Sequence, residues 1–249
     1  MQSLFEYLRF TSLYTLLVFT FVLPFLIIAL WHVPTANRKL LILVAILFFI
    51  DRILSYLPSL PFIPHNELLW QAKFLQFIWP ILFILIYRHL SFSDVGVTIK
   101  IRTGSFRPIL IMALVLVLLK ILEIVNGFRH PGNIEWLLFM MIMPGLSEEL
   151  IFRGVFQSLL DRSFGKPWRL WGAQVGFGLI LTSLIFGIEH YQMINRAGII
   201  HFNGPINIAP FYAGFALGWI RERGGSLLPC IIVHGLIDVL PVIAGYLLH

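Results

Sequence analysis

Gly145–Gly154, with the sequence GLSEELIFRG, places two adjacent glutamates and an arginine inside an otherwise apolar stretch at residues 135–158. In the whole chain of 249 residues, 59% are hydrophobic and 12% are charged, and the mean hydropathy is +0.89. These values are typical of a membrane protein and not of a soluble globular chain. The three charged side chains therefore need partners or a function within the membrane.

The apolar stretches of the chain predict its architecture. A helix that spans a bilayer needs about 20 mostly apolar residues. Eight stretches approach this length: residues 11–31, 39–59, 67–88, 107–126, 135–158, 172–194, 206–221 and 226–247. We therefore expect an all-α, polytopic membrane protein with about eight transmembrane helices, which form a single helical domain over residues 1–249. In a prokaryote, this multi-pass protein would lie in the cell membrane.

Charge and cysteine content exclude some classes of function. The 18 lysines and arginines give a net charge of +6, but they are scattered among short loops. No basic block is present, so we expect a lipid bilayer as the environment and no nucleic-acid partner. The single cysteine, Cys230, lies in an apolar stretch and predicts a buried structural thiol.

Several ionisable residues lie at membrane depth, where an unpaired charge costs at least about 2.5–3.5 kcal/mol. Asp51 and Arg52 interrupt the second stretch, and Lys120 and Glu123 are three residues apart in the fourth. For these four residues we expect structural pairing.

The glutamates of the quoted segment differ in their helical geometry. Glu149 and Arg153 are four residues apart with the acid on the N-terminal side, which is the favourable order for an ion pair. Glu148 points about 100° away and does not share that face. The segment therefore predicts one paired carboxylate and one spare carboxylate.

Two further segments carry histidines. SLIFGIEHY, residues 183–191, places Phe186 and His190 four residues apart, and CIIVHGLID, residues 230–238, does the same for His234 and Asp238. Neutral histidine and carboxylate groups can shuttle a proton near neutral pH, bind a metal or hold a water molecule. Between the fifth and sixth stretches, the tryptophans and arginine of WRLWGAQVG, residues 168–176, predict a segment that lies partly along the membrane surface.

Together these motifs resemble the CAAX prenyl protease and bacteriocin-processing family of intramembrane proteases, which includes the type II CAAX prenyl endopeptidases. The family pattern is Glu-Glu-x-x-x-Arg, then Phe-x-x-x-His, then His-x-x-x-Asn or Asp, each on a separate membrane helix. The chain supplies the pattern in order with Glu148, Glu149 and Arg153, then Phe186 and His190, then His234 and Asp238. The resemblance covers residues 135–240 as a catalytic core, and residues 1–134 are helices of unassigned role.

The resemblance implies an intramembrane endopeptidase that cleaves a membrane-associated protein or peptide without a cofactor. Glu148 is expected to be the general base, with His190 helping to hold the attacking water. Glu149 and Arg153 are expected to hold the helix and tune the charge of the site, and Phe186 supports it.

The resemblance also implies that His234 and position 238 face the carbonyl oxygen of the substrate. Many relatives have Asn at this position, and an amide can donate a hydrogen bond to an oxyanion. An ionised Asp238 cannot donate, so it either orients His234 by accepting its ring N–H or is protonated.

Two alternatives remain open. Glu148, His190 and His234 are a possible ligand set for zinc, although a helical His-Glu-x-x-His signature is absent. The same residues could instead form a proton relay in a transporter or part of a noncatalytic scaffold, but no half-to-half repeat favours a transporter.

Overall fold

The computed structural model describes residues 4–57, 68, 70–130, 132–190 and 208–247. Its helices are α1 (Leu4–His32), α2 (Arg38–Tyr56), α3 (Trp70–Ile86), α4 (Phe106–Val125), α5 (Ile134–Glu149), α6 (Gln157–Phe164), α7 (Phe177–Glu189), α8 (Ala209–Gly224) and α9 (Leu228–Leu247). A π-helical segment, Leu150–Phe156, joins α5 to α6, and two strands, β1 (Trp168–Leu170) and β2 (Ala173–Val175), form a small hairpin. Each of the eight predicted stretches overlaps a helix, so the all-α class is confirmed.

The helices differ in their ability to cross a membrane. Among the described residues, three helical segments are long and apolar enough: Phe5–His32, Phe106–Val125 and Leu228–Leu247. Two more apolar helices, Trp70–Ile86 and Phe177–Glu189, are shorter. Large apolar side chains such as Ile111, Leu114 and Leu118 are exposed along α4, as expected for a helix that contacts lipid. The chain is therefore an integral membrane protein, but the expected number of eight transmembrane helices is not confirmed.

Asparagine side chains mark the starts of two helices. The Asn37 side chain accepts a hydrogen bond from the Lys39 N–H (3.1 Å) before α2, and that of Asn133 accepts one from the Trp136 N–H (2.9 Å) before α5. Each cap satisfies a backbone donor that has no partner within the helix. These two starts lie within one residue of those predicted from hydropathy.

The stretch at residues 135–158 is not one regular α-helix as expected. Regular α-helical geometry ends at Glu149, and the next seven residues are π-helical. A Cβ atom on Gly154, inside this segment, would lie 3.3 Å from the Leu227 side chain and 3.5 Å from the Val95 carbonyl oxygen. Close packing against other parts of the chain therefore accompanies the change in helical geometry. Such π-segments are rare and often occur at functional sites.

The stretch at residues 172–194 is also different from the prediction. Trp168–Leu170 and Ala173–Val175 pair as antiparallel strands around a two-residue turn, Trp171 and Gly172, which have φ angles of 45° and 83°. Positive φ at both positions is typical of the type I′ turns that connect short hairpins. As a result, the helix begins at Phe177 and has only 13 residues.

The described residues form two compact units, one from Met1–His65 and Phe156–Phe215, the other from Asn66–Val155 and Ala216–His249. In the first unit, α1 packs against α2 and α7, while α6 packs against α2 and α7. In the second unit, α5 packs against α3 and α9, and α4 packs against α9. The sequence motifs are divided between the units, because α7 lies in the first and both α5 and α9 lie in the second.

Candidate active site

In the second unit, two glycines allow the backbones of α5 and α9 to approach closely. A Cβ atom on Gly145 would lie 2.8 Å from the Ile231 carbonyl oxygen, and one on Gly235 would overlap the Met141 carbonyl group. Small residues at a helix crossing permit this kind of contact in membrane proteins. The crossing brings the Glu-Glu-x-x-x-Arg motif of α5 next to the histidine that precedes Gly235.

Glu149 is the buried centre of the resulting cluster. Its Oε1 atom accepts hydrogen bonds from Arg153 Nη1 at 2.9 Å and from His234 Nδ1 at 2.6 Å. Glu149 is completely buried, and Arg153 is 2% exposed. The predicted Glu149–Arg153 ion pair is confirmed. The bond from His234 was not predicted, because it joins residues 85 positions apart in the sequence.

The other ring nitrogen of His234 faces two more carboxylates. Its Nε2 atom lies 3.2 Å from Asp238 Oδ2 and 3.9 Å from Glu148 Oε2. A neutral imidazole has one N–H, whereas a protonated ring can donate from both nitrogens. Contacts on both sides therefore hold the ring in one orientation, with Nε2 directed towards Glu148 and Asp238.

Glu148 has a partner from another helix. The Lys73 ammonium group on α3 donates to Glu148 Oε1, and the two side chains form an ion pair. The expectation that Glu148 is a spare, unpaired carboxylate is therefore wrong. Geometry within α5 could not reveal this pair, because it depends on the packing of α3 against α5. A lysine in an apolar helix does, however, signal that an acidic partner is needed.

The two adjacent glutamates have different environments. The Glu148 side chain is 12% exposed, and the Asp238 side chain is 26% exposed, whereas Glu149 is closed off from the surface. An incoming molecule can thus reach Glu148 and Asp238, while Glu149 is held by its two donors. This difference separates a positioning carboxylate from an accessible one.

Phe186 and His190 belong to the first unit, at the C-terminal end of α7. His190 Nδ1 donates to the Phe186 carbonyl oxygen at 2.7 Å, and the two rings are 4.5 Å apart between centroids. This hydrogen bond places the proton of a neutral imidazole on Nδ1, so Nε2 can accept a hydrogen bond. His190 is exposed, so an external group can reach its ring.

A buried ion cluster holds the end of α7 within the first unit. Arg52 on α2 forms ion pairs with Asp51 and with Glu189, the residue before His190. The Tyr14 hydroxyl on α1 donates to the Glu189 carbonyl oxygen at 2.5 Å. The predicted structural pairing of Asp51 and Arg52 is confirmed. The participation of Glu189 was not predicted, because its partners lie on helices distant in sequence.

Two predictions outside these clusters are also confirmed. Lys120 Nζ lies 2.6 Å from Glu123 Oε2 on α4, as expected for a pair three residues apart. Cys230 is fully buried, and its thiol lies 3.3 Å from the Leu217 carbonyl oxygen. The cysteine therefore has the environment of a structural residue.

The described part of the chain contains no group of three or more His, Cys, Asp or Glu side chains arranged to hold a metal ion. The alternative ligand set of Glu148, His190 and His234 includes residues from both units. The geometry within each unit adds no support for zinc, and metal content remains an experimental prediction.

The chain was compared with known protein families. Residues 130–240 match the family model described as type II CAAX prenyl endopeptidase Rce1-like. This region contains all seven residues of the three motifs and confirms the resemblance, although it is less than half of the 249 residues. The match indicates a protease. Comparisons with curated proteins and with solved structures gave no match.

Proposed function

From the premise that residues 130–240 belong to the type II CAAX prenyl endopeptidase family, we propose that this protein is an intramembrane endopeptidase in which Glu148 activates the attacking water. The substrate is a membrane-associated protein or peptide. In a prokaryote, the enzyme works in the cell membrane.

The observation that carries this proposal is the difference between Glu148 and Glu149. Glu149 is buried and accepts hydrogen bonds from Arg153 and His234. Glu148 is the more accessible carboxylate, and its Oε2 atom lies 3.9 Å from His234 Nε2. This separation exceeds a direct hydrogen bond, so a water molecule bound by Glu148 is also within reach of the histidine. A general base needs such access to the proton that it removes.

In the proposed reaction, Glu148 takes a proton from water while the water oxygen attacks the carbonyl carbon of the substrate. A tetrahedral intermediate forms, with negative charge on the former carbonyl oxygen. The carbon–nitrogen bond then breaks, and the protonated Glu148 returns its proton to the leaving nitrogen. His190 helps to hold the water through Nε2, and His234 directs an N–H towards the reacting groups. Asp238 keeps that ring oriented by accepting from it.

The family description points to a substrate with a prenylated C-terminal motif. We therefore choose an internally quenched peptide ending in S-farnesyl-cysteine and three further residues as the first probe, assayed in detergent micelles. An otherwise identical peptide without the farnesyl group tests whether the lipid is required. If neither is cut, membrane proteomes of cells with wild-type protein and with Glu148→Gln are compared for uncut precursors.

The deciding variant is Glu148→Gln, which keeps the shape of the side chain but cannot accept a proton at neutral pH. We expect it to insert and purify normally and to lose cleavage of the peptide or of the precursors. Substantial remaining turnover would refute the assignment of Glu148 as the base. Chelation should leave wild-type cleavage intact, whereas zinc bound at one ion per chain that tracks activity would favour a metalloprotease.

A further inference from the structure

We propose that Lys73 is a catalytic residue that stabilises the oxyanion of the tetrahedral intermediate. This inference rests on the proposed function. It concerns a residue outside the matched region 130–240, on a helix for which the motifs assign no role. The starting observation is the ion pair between the Lys73 ammonium group and Glu148, the proposed base.

The first argument comes from the charges of the cluster. Three carboxylates, Glu148, Glu149 and Asp238, share the site with Lys73, Arg153 and His234. With Asn at position 238, as the family pattern allows, the cluster would have one negative charge fewer. Lys73 supplies a positive charge that balances the carboxylate of Asp238. An unbalanced charge in a low-dielectric site is costly, which gives this lysine a reason to lie at the site.

The second argument comes from the donors that remain for the substrate. Asp238 as a carboxylate only accepts hydrogen bonds, so it cannot replace the amide N–H of an asparagine. Arg153 Nη1 is bound to the buried carboxylate of Glu149, and so is His234 Nδ1. Lys73 has three N–H donors, and its side chain is 21% exposed, so the ammonium group can reach a bound substrate.

The third argument follows the negative charge through the reaction. Before attack, this charge is on Glu148 and is paired with Lys73. When Glu148 accepts the proton of the water, it becomes neutral, and the charge moves to the oxygen of the tetrahedral intermediate. The ammonium group then gains a new anionic partner without a change in the net charge of the site. Stabilisation that grows as the charge moves to the intermediate accelerates the chemical step.

The test combines Lys73→Met, which has similar length and no charge, with Lys73→Arg, which keeps the charge. Lys120→Met is the matched control, because it removes a lysine from another Lys–Glu pair with similar side-chain exposure, 17% and 24% for the two partners. Each variant is measured for kcat and KM on the peptide or precursor that the wild type cleaves, and for thermal stability in detergent.

We expect Lys73→Met to lower kcat by about 10²–10³-fold, the typical cost of one oxyanion donor, with a much smaller change in KM. Lys73→Arg should retain more activity than Lys73→Met, and Lys120→Met should keep the wild-type kcat. In an Asp238→Asn background, the loss caused by Lys73→Met should shrink to about tenfold or less, because the new amide can donate to the same oxygen.

A folded Lys73→Met with kcat within about threefold of the wild type would overturn the inference. So would an equal loss of kcat in the wild-type and Asp238→Asn backgrounds, since that result indicates a structural role. If Lys73→Met does not fold, Lys73→Gln replaces it, and equal activity of Lys73→Gln and Lys73→Arg would overturn the need for charge. An active Glu148→Gln would refute the proposed function itself, whereas an inactive Glu148→Gln beside a fully active Lys73→Met refutes only the role of Lys73.

Discussion

Replacement of Glu149 by glutamine should destabilise the protein far more than the same replacement at Glu148. Glu149 Oε1 accepts from Arg153 at 2.9 Å and from His234 at 2.6 Å, inside a cluster closed off from the surface. Removing one partner of a buried ion pair costs about 3–5 kcal/mol. The amide oxygen of glutamine can still accept a hydrogen bond, so we expect the lower end of this range for Glu149→Gln.

The neighbouring residue is the matched control. Glu148 is paired with Lys73, but both side chains are partly exposed, at 12% and 21%. Its removal leaves a lysine that can reach polar surroundings, so we expect a loss of about 1 kcal/mol or less. The two variants carry the same chemical change at adjacent positions and differ only in the environment of the lost charge.

Thermal unfolding of the purified protein in detergent measures this difference. At about 2–4 °C for each kcal/mol in a chain of this size, Glu149→Gln should lower Tm by on the order of 10 °C and also reduce the yield of folded protein. Glu148→Gln should remain near the wild-type Tm while losing cleavage. Equal melting temperatures for the two variants would refute the argument that the Glu149–Arg153 pair stabilises the fold.

Three other substitutions test the remaining contacts. Asp238→Asn should retain most of the cleavage activity and Asp238→Ala should lose most of it, because Asn keeps a polar partner beside His234; an Asn variant as inactive as Ala, with both folded, would show that the carboxylate is needed. Gly145→Ala should cost about 1–3 kcal/mol in thermal stability, because its methyl group would meet a backbone carbonyl oxygen at 2.8 Å, and an unchanged Tm would contradict the close helix crossing. Arg52→Met should lower both Tm and the yield of folded protein, since it leaves the carboxylate of Glu189 and a second buried acid without their cation; a variant as stable as the wild type would argue against that ion cluster.

Local sequence patterns were sufficient for features that depend on nearby residues. Hydropathy predicted the apolar helices, since each must bury its backbone polar groups within its own hydrogen bonds. The spacing of four residues predicted the Glu149–Arg153 pair, and the spacing of three predicted the Lys120–Glu123 pair. The motifs also predicted the family, because their order along the chain is itself a property of the sequence.

Contacts between helices could not be read from these local periods. Hydropathy alone did not distinguish the hairpin at residues 168–175 from the start of a span, because its turn depends on backbone angles at Trp171 and Gly172. Nor did it reveal the π-helical segment, where Gly154 packs closely against other parts of the chain.

The adjacent glutamates show where the sequence ends and the tertiary structure begins. Their identity and their difference in direction around the helix follow from the sequence, because a helix turns by about 100° per residue. Their partners follow only from packing: α9 brings His234 to Glu149, and α3 brings Lys73 to Glu148. Burial then makes one carboxylate a fixed acceptor and leaves the other accessible, since the exposure of a charge depends on every helix that surrounds it.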